Sequence, residues 1–297
     1  MTAPSQKKTP TPIPGAKTIR AGLLAAAMFG LGCADPPPAQ SAPAVRDSLF
    51  AAEPERQWRL PRQLAEISGL AASADGRVFA HDDETAVIYE IDVQSGRLVS
   101  NFALGDPIET GDFEGLAIAP DGVFYMITSR GRLYRFVEGG DGEQVEFERI
   151  DTGMRAVCEV EGLAYFAPDE SLIIACKRMH DSAMRDRIWL YAWRPGAASA
   201  EPWLSLSGTE LAARAGVRRF RPSGVEVDAQ GGHILLLSAI DGALAVLTPQ
   251  GEIAAVRALG RAHRQAEGVT VAADGALIIS DEAAGGQALL SRYARIP

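Results

Sequence analysis

Histidine and cysteine are scarce in this chain of 297 residues, which has four of the first and three of the second. His81, His180, His233 and His263 are scattered, none at ligand spacing from a cysteine, which argues against a zinc centre. No Gly-x-Ser-x-Gly elbow occurs, and nothing in the pattern supports a Ser-His-Asp triad. Long helical patterns are missing as well, the best being GTELAARAGVRRF at Gly208–Phe220. Apolar runs are short: Ala21–Gly32 is too brief to span a bilayer. Positive charge is in deficit. Of 29 Lys and Arg, four lie in the first 32 residues, which hold no acid, so the remainder sets 25 cations against 38 anions, a net charge of −13. That balance excludes a nucleic-acid partner and adhesion to anionic lipid through a basic patch, and it suits a cation ligand. Beyond residue 32 the single lysine is Lys177, and the other 24 cations are arginines.

The four early cations, Lys7, Lys8, Lys17 and Arg20, precede the apolar run and make residues 1–32 a signal peptide. The run ends in FGLGC and resembles a bacterial lipoprotein signal, in which Cys33 is lipidated and becomes the new N-terminus. Gly30 stands where such signals usually carry leucine. Residues 33–56, in which Cys33 is followed by ADPPPAQSAP, read as a Pro/Ala-rich linker. Ala34 is not the aspartate that resembles inner-membrane retention, so the outer membrane is favoured over a soluble periplasmic or secreted protein.

What the remaining residues, 57–297, do possess is a repeat. Five segments align on a glycine: ISGLAASADG from Ile67, FEGLAIAPDG from Phe113, VEGLAYFAPDE from Val160, PSGVEVDAQGG from Pro222 and AEGVTVAADG from Ala266. The anchors Gly69, Gly115, Gly162, Gly224 and Gly268 are spaced by 46, 47, 62 and 44 residues. A period of that size indicates a propeller or solenoid, whose units cannot bury both faces alone. About six residues after each anchor comes a turn, Asp-Gly in three copies, then a second, a third and in four copies a fourth alternating strand. The fifth copy runs out of chain after three strands, while QWRL, Gln57–Leu60, is left over at the other end. The expectation is therefore an all-β protein, a β-propeller of five four-stranded blades closed by an N-terminal strand. Six blades are the alternative, but no sixth anchor exists.

Cys158 and Cys176 flank the turn of the third copy, in an export context that permits disulfides. They are either bonded or two buried thiols. Side chains alternate along a strand, so the residues one and three places before each anchor face the same way. The first set is Ser68, Glu114, Glu161, Ser223 and Glu267; the second is Glu66, Asp112, Glu159, Arg221 and Gln265. Second strands deliver Asp82, Asp83, Glu84, Lys177, Asp281 and Glu282 to the same mouth, with His81 beside them. Converging carboxylates must protonate, pair or bind metal. Oxygen donors without histidine favour calcium, with Glu114, Glu161, Glu267, Glu66, Asp112, Glu159 and Asp281 as candidate ligands. The competing reading leaves these acids solvated or paired with Arg130, Arg178 and Arg221.

The succession DFEGLAIAPDG, EVEGLAYF with IIACK, RPSGVEVDAQGGHILLLS and RQAEGVTVAADGALIISDE resembles the SdiA-regulated family of exported bacterial β-propellers, from about Glu66 onward. The resemblance implies a calcium-type site near the channel and falls on Glu114, Glu161, Lys177 and Glu267. It implies no settled activity. Ala239 and Ile240 stand where the family pattern has an acid after LLLS, and Arg221 likewise replaces an acid. Two functions follow as expectations: an envelope protein that binds a small ligand or a protein partner at the acidic mouth, or a calcium-dependent hydrolase of phosphoesters or lactones.

Overall fold

The computed structural model describes residues 49–229 and 232–296. The signal segment, Cys33 and the Gln230-Gly231 turn lie outside the described residues. Each repeat forms one antiparallel sheet. Blade 1 comprises Ile67–Ala72, Val78–Asp82, Val87–Asp92 and Arg97–Leu104, numbered here from the axis outward. Blade 2 is Phe113–Ile118, Val123–Thr128, Arg132–Val137 and Phe147–Asp151; blade 3 is Cys158–Phe166, Ser171–Met179, Arg187–Trp193 and Glu201–Ser207. Blade 4 is Gly224–Val227, Ile234–Ser238, Ala243–Leu247 and Ile253–Ala258. Blade 5 takes Ala266–Val271, Leu277–Asp281 and Leu289–Tyr293 from the end of the chain and Arg56–Arg59 from its beginning. Trp58 lies opposite Leu290 and Arg59 opposite Leu289, so the N-terminal strand closes the ring. It sits one residue earlier than expected, because Leu60 turns inward and is buried. The linker also ends sooner than its expected boundary at residue 56: Phe50 is fully buried and bridges to Arg295.

Five sheets give five hydrophobic cores, one between each pair of neighbouring blades, including blades 5 and 1. This explains why the second strands are apolar throughout rather than alternating. In Ser171–Met179, Leu172, Ile174 and Cys176 pack toward blade 2, whereas Ile173 and Ala175 pack toward blade 4. A strand sandwiched between blades buries both of its faces. Blade 1 carries an extra strand, Gln144–Val145, parallel to Arg97–Leu104 and donated by the loop of blade 2. The long third spacing, from Gly162 to Gly224, holds one α-helix, Gly208–Ala215, shorter than the sequence pattern. Ser207 caps it by accepting from the Glu210 amide, and Gly216 ends it with a left-handed φ of 70°.

The anchor glycines form a ring around the axis. A β-carbon on Gly115 would lie 2.5 Å from Leu163 N, one on Gly162 2.9 Å from Val225 N, and one on Gly224 2.5 Å from Glu267 O. Gly268 meets Leu70 N at 3.2 Å and Gly69 meets Leu116 N at 3.3 Å by the same construction. Each anchor thus touches the next blade in cyclic order, and any side chain there would push two inner strands apart. The ring leaves a cavity of only about 10 Å³ at the waist. The channel expected from the sequence is therefore two separate depressions, one at each end of the axis.

Candidate site at the acidic mouth

Three inner strands depart from regular pairing at the residue before the anchor. Ile67 pairs with Asp82 but Gly69 with His81; Phe113 pairs with Thr128 but Gly115 with Ile127; Ala266 pairs with Asp281 but Gly268 with Ser280. Ser68, Glu114 and Glu267 are thus the extra residues of β-bulges, a device that re-aims a side chain at a strand end. In blade 3 both strands are irregular. Glu159 pairs with Arg178 and Val160 with Cys176, which leaves Lys177 extra on the second strand, while Glu161 and Gly162 on the first together oppose the single residue Ala175. The same shift brings Cys158 and Cys176 within reach, and they form a disulfide with Cα atoms 5.8 Å apart.

These irregularities assemble one cluster. Lys177 Nζ donates to Glu161 Oε1 at 2.6 Å, and Ser68 Oγ donates to Glu114 Oε2 at 3.3 Å. Ser68, Glu114 and Glu267 all line the waist just above the glycine ring. Burial and then the neighbouring Glu161 push Glu114 up to about 9. The same two causes, in the same order, push Glu267 up to about 8. Burial raises Glu161 as well, against the opposing pull of Lys177. Burial alone would lower Lys177, but the Glu161 hydrogen bond and the three carboxyls outweigh it and hold the ammonium charged. The lysine side chain keeps 42% exposure while Glu161 keeps 5%, so the cation sits on the solvent side of the acid.

Of the outer set, Asp112 is exposed and accepts from Ser129 Oγ, and Glu159 pairs with Arg178 at 3.0 Å. These two are the solvated and paired acids of the competing reading. Glu66 is exposed too, but it faces Glu282, which burial and then Glu66 raise to about 7. Asp83 is raised to about 6 by burial and then by Glu66, and its Oδ1 is buried without a partner. Arg221 is exposed on blade 4, which contributes no carboxylate to the cluster.

Two expected members stand elsewhere. Asp281 is 1% exposed and is taken up by the loop before the fifth anchor: it meets His263 Nδ1 at 2.6 Å and accepts from Arg264 N at 2.9 Å and Gln265 N at 3.2 Å. The bulge at Glu267 places Asp281 opposite Ala266, and there its carboxylate satisfies a loop rather than a ligand. His81 is wholly buried, with Nδ1 2.8 Å from Asp82 O and Nε2 unpartnered, so it does not open on the mouth. One carboxyl escaped the sequence reading. Glu226 lies two residues after its anchor, where the other blades have Ala71, Ala117, Ala164 and Thr270, and it faces the opposite end of the axis. An acid in a column of alanines was the available signal.

Calcium can be weighed against this donor set. The donors are hard oxygens, three carboxylates and a hydroxyl, facing a single ammonium, and that chemistry fits calcium. As the side chains stand, no group of three or more His, Cys, Asp or Glu among the described residues has metal-ligand spacing; Lys177 supplies the positive charge. No described helix is long and apolar enough to cross a membrane.

Comparisons with known proteins agree on the architecture. Glutaminyl cyclase from Myxococcus xanthus is 15% identical, with 82% of this chain and 95% of that one covered at a TM-score of 0.51. A luciferin-regenerating enzyme is 9% identical over 78% of this chain and 92% of its own, also with a TM-score of 0.51. Such identities speak for the fold alone. No curated protein matches the sequence. The pattern that defines the SdiA-regulated proteins, in contrast, matches continuously from Arg62 to Ala284, residues 62–284. With all five anchor glycines and every carboxyl of the mouth inside that one match, the chain belongs to the SdiA-regulated family.

Proposed function

We propose that this is an exported envelope lipoprotein whose propeller binds a small ligand or a protein partner at the acidic mouth, with calcium held by Glu114, Glu161 and Glu267. The reading rests on one observation: three partly or fully buried glutamates meet a single lysine above a closed waist. Three carboxyls and one ammonium cannot all be charged there without a further cation. Calcium, when bound, supplies that charge and a centre that polarises a ligand oxygen. Lys177, exposed beside the acids, then presents its ammonium to an anionic group of the ligand. Glu66, Asp112 and Glu159 form a rim that concentrates cations. The closed waist makes the mouth a cup, so a ligand binds there without passing through.

Calcium at 100 times its Kd should stabilise the fold by about 2.7 kcal/mol. Chelation should then lower the melting temperature by several degrees, at roughly 2–4 °C per kcal/mol. Identical melting in calcium and in chelator, with no stoichiometric metal in the purified protein, would overturn the calcium site. The second reading, a calcium-dependent hydrolase, draws on Lys177 hydrogen-bonded to Glu161, a proton donor and acceptor side by side. Turnover in a screen of phosphoesters and lactones, lost in Lys177→Met, would select it over the binding protein. The export arm has its own test. Radiolabelled palmitate should enter the wild type and not Cys33→Ser, and equal labelling of both would remove the lipid anchor.

A further inference from the structure

The end of the axis remote from the acids holds a cavity of about 700 Å³. That is within the range of pockets that enclose a drug-sized molecule. Its walls are the far ends of the inner strands and their turns, among them Ile118, Tyr165, Phe166, Val227 and Val271. Two carboxyl residues line this otherwise largely apolar surround: Asp228, which is ion-paired with Arg295, and Glu226, which is not paired with a cation among the described residues. Its Oε2 accepts from Thr270 Oγ1 at 2.7 Å, and its Oε1 accepts from Val227 N at 2.7 Å. Both donors are neutral. The guanidinium of Arg295 pairs with Asp228 at 2.7 Å, and no cation among the described residues is hydrogen-bonded to Glu226.

A carboxyl in an apolar cup is costly to ionise unless a ligand brings the missing charge. Its placement is not required by the fold, since alanine fills the same position in blades 1, 2 and 3. We infer that this vestibule is a second binding site, separate from the acidic mouth, for a small apolar or aromatic molecule carrying one protonated amine, which pairs with Glu226. The apolar wall, with Ile118, Val227 and Val271 in it, takes up the apolar part of such a ligand, and Glu226 fixes its orientation. The glycine ring between the two ends keeps the sites from communicating by passage of a ligand.

Tryptamine is a suitable probe, compared by calorimetry with indole-3-acetate, which has the same ring and the opposite charge. The wild type should bind tryptamine in preference to indole-3-acetate. Glu226→Gln should weaken tryptamine by about tenfold or more, the loss expected for a charge-assisted hydrogen bond, while the indole-3-acetate signal stays the same or rises. Ala167→Trp, at an exposed position on the cavity wall, should block the probe without altering the carboxyl. Tryptamine could also settle on the acidic mouth, so the measurement is repeated with Glu114, Glu161 and Glu267 all changed to Gln. Binding that survives there and disappears with Ala167→Trp places the amine in the vestibule. Absence of tryptamine binding, or binding indifferent to both Glu226→Gln and Ala167→Trp, would overturn the inference. So would binding lost in the triple variant, and none of these outcomes touches the calcium reading.

Discussion

Removal of Arg56–Arg59 should abolish the cooperative melting transition of the propeller. The strand supplies the outer edge of blade 5, pairing Arg56 with Arg292, Gln57 with Ser291, Trp58 with Leu290 and Arg59 with Leu289. Without it the strand Leu289–Tyr293 becomes an open edge, which favours aggregation. Trp58, packed against the core between blades 5 and 1, is lost as well, and burial of a large apolar side chain contributes about 1.5–3 kcal/mol. The shortened connection also strains the seat of Phe50, which is fully buried between blades 4 and 5. These losses act on the margin of an ordinary domain, whose whole stability is only about 5–15 kcal/mol. Calorimetry should show a broad or absent transition and a soluble fraction that falls with concentration. A truncated protein with an unchanged, sharp transition would mean that the ring does not depend on pairing of its two ends.

The triple change of Glu114, Glu161 and Glu267 to Gln should make the calcium-free protein more stable at pH 8 and insensitive to calcium. In the folded protein Glu267 is raised to about 8 and Glu114 to about 9, in both cases first by burial and then by Glu161. A carboxyl whose folded pKa is raised holds its proton longer in the native than in the unfolded chain. The unfolded chain therefore binds fewer protons above about pH 4.5, and stability falls as pH rises from there toward 8. Calcium opposes this trend: it binds the ionised carboxylates, releases their protons on binding, and so stabilises more at pH 8 than at pH 5.5. Glutamine keeps the shape and removes the titration. Lys177 loses its acids in this variant but, with 42% of its side chain exposed, it can remain hydrated. The fall of melting temperature with pH should become shallower rather than vanish, since Glu226, raised to about 7 by burial, still titrates at the other end. A triple variant that melts below the calcium-free wild type at pH 8, or that still responds to calcium, would show that these glutamates are not the site.

The two experiments probe features of different legibility. The ring and its closure were readable because their signals are local: a glycine every 44 to 62 residues, a turn about six residues later, and one incomplete unit with a spare strand at the other terminus. The family resemblance rested on the same segments, and the match over residues 62–284 bears it out. Glu114, Glu161 and Glu267 were also legible, since residues at one register position on the inner strands must meet around an axis, and Lys177 was legible as the end of a second strand that returns to the same mouth.

What strict alternation could not supply was the bulge. Its location depends on how two strands share hydrogen bonds, and the ladder is chosen by packing between blades. Bulges at Ser68, Glu114 and Glu267 turn those side chains toward the waist, and irregular pairing in blade 3 brings Glu161 under Lys177 and Cys158 beside Cys176. The bulge at Glu267 also sets Asp281 opposite Ala266, where it serves the loop at His263 instead of the mouth. The sequence by itself determined the number of blades, how the ring closes and which residues can reach the axis, because these follow from spacing along the chain. Only the tertiary structure decided that the axis is sealed by five glycines, which carboxyls share a charge with Lys177, and that Glu226 faces a largely apolar vestibule, because each of these depends on distances between strands far apart in sequence.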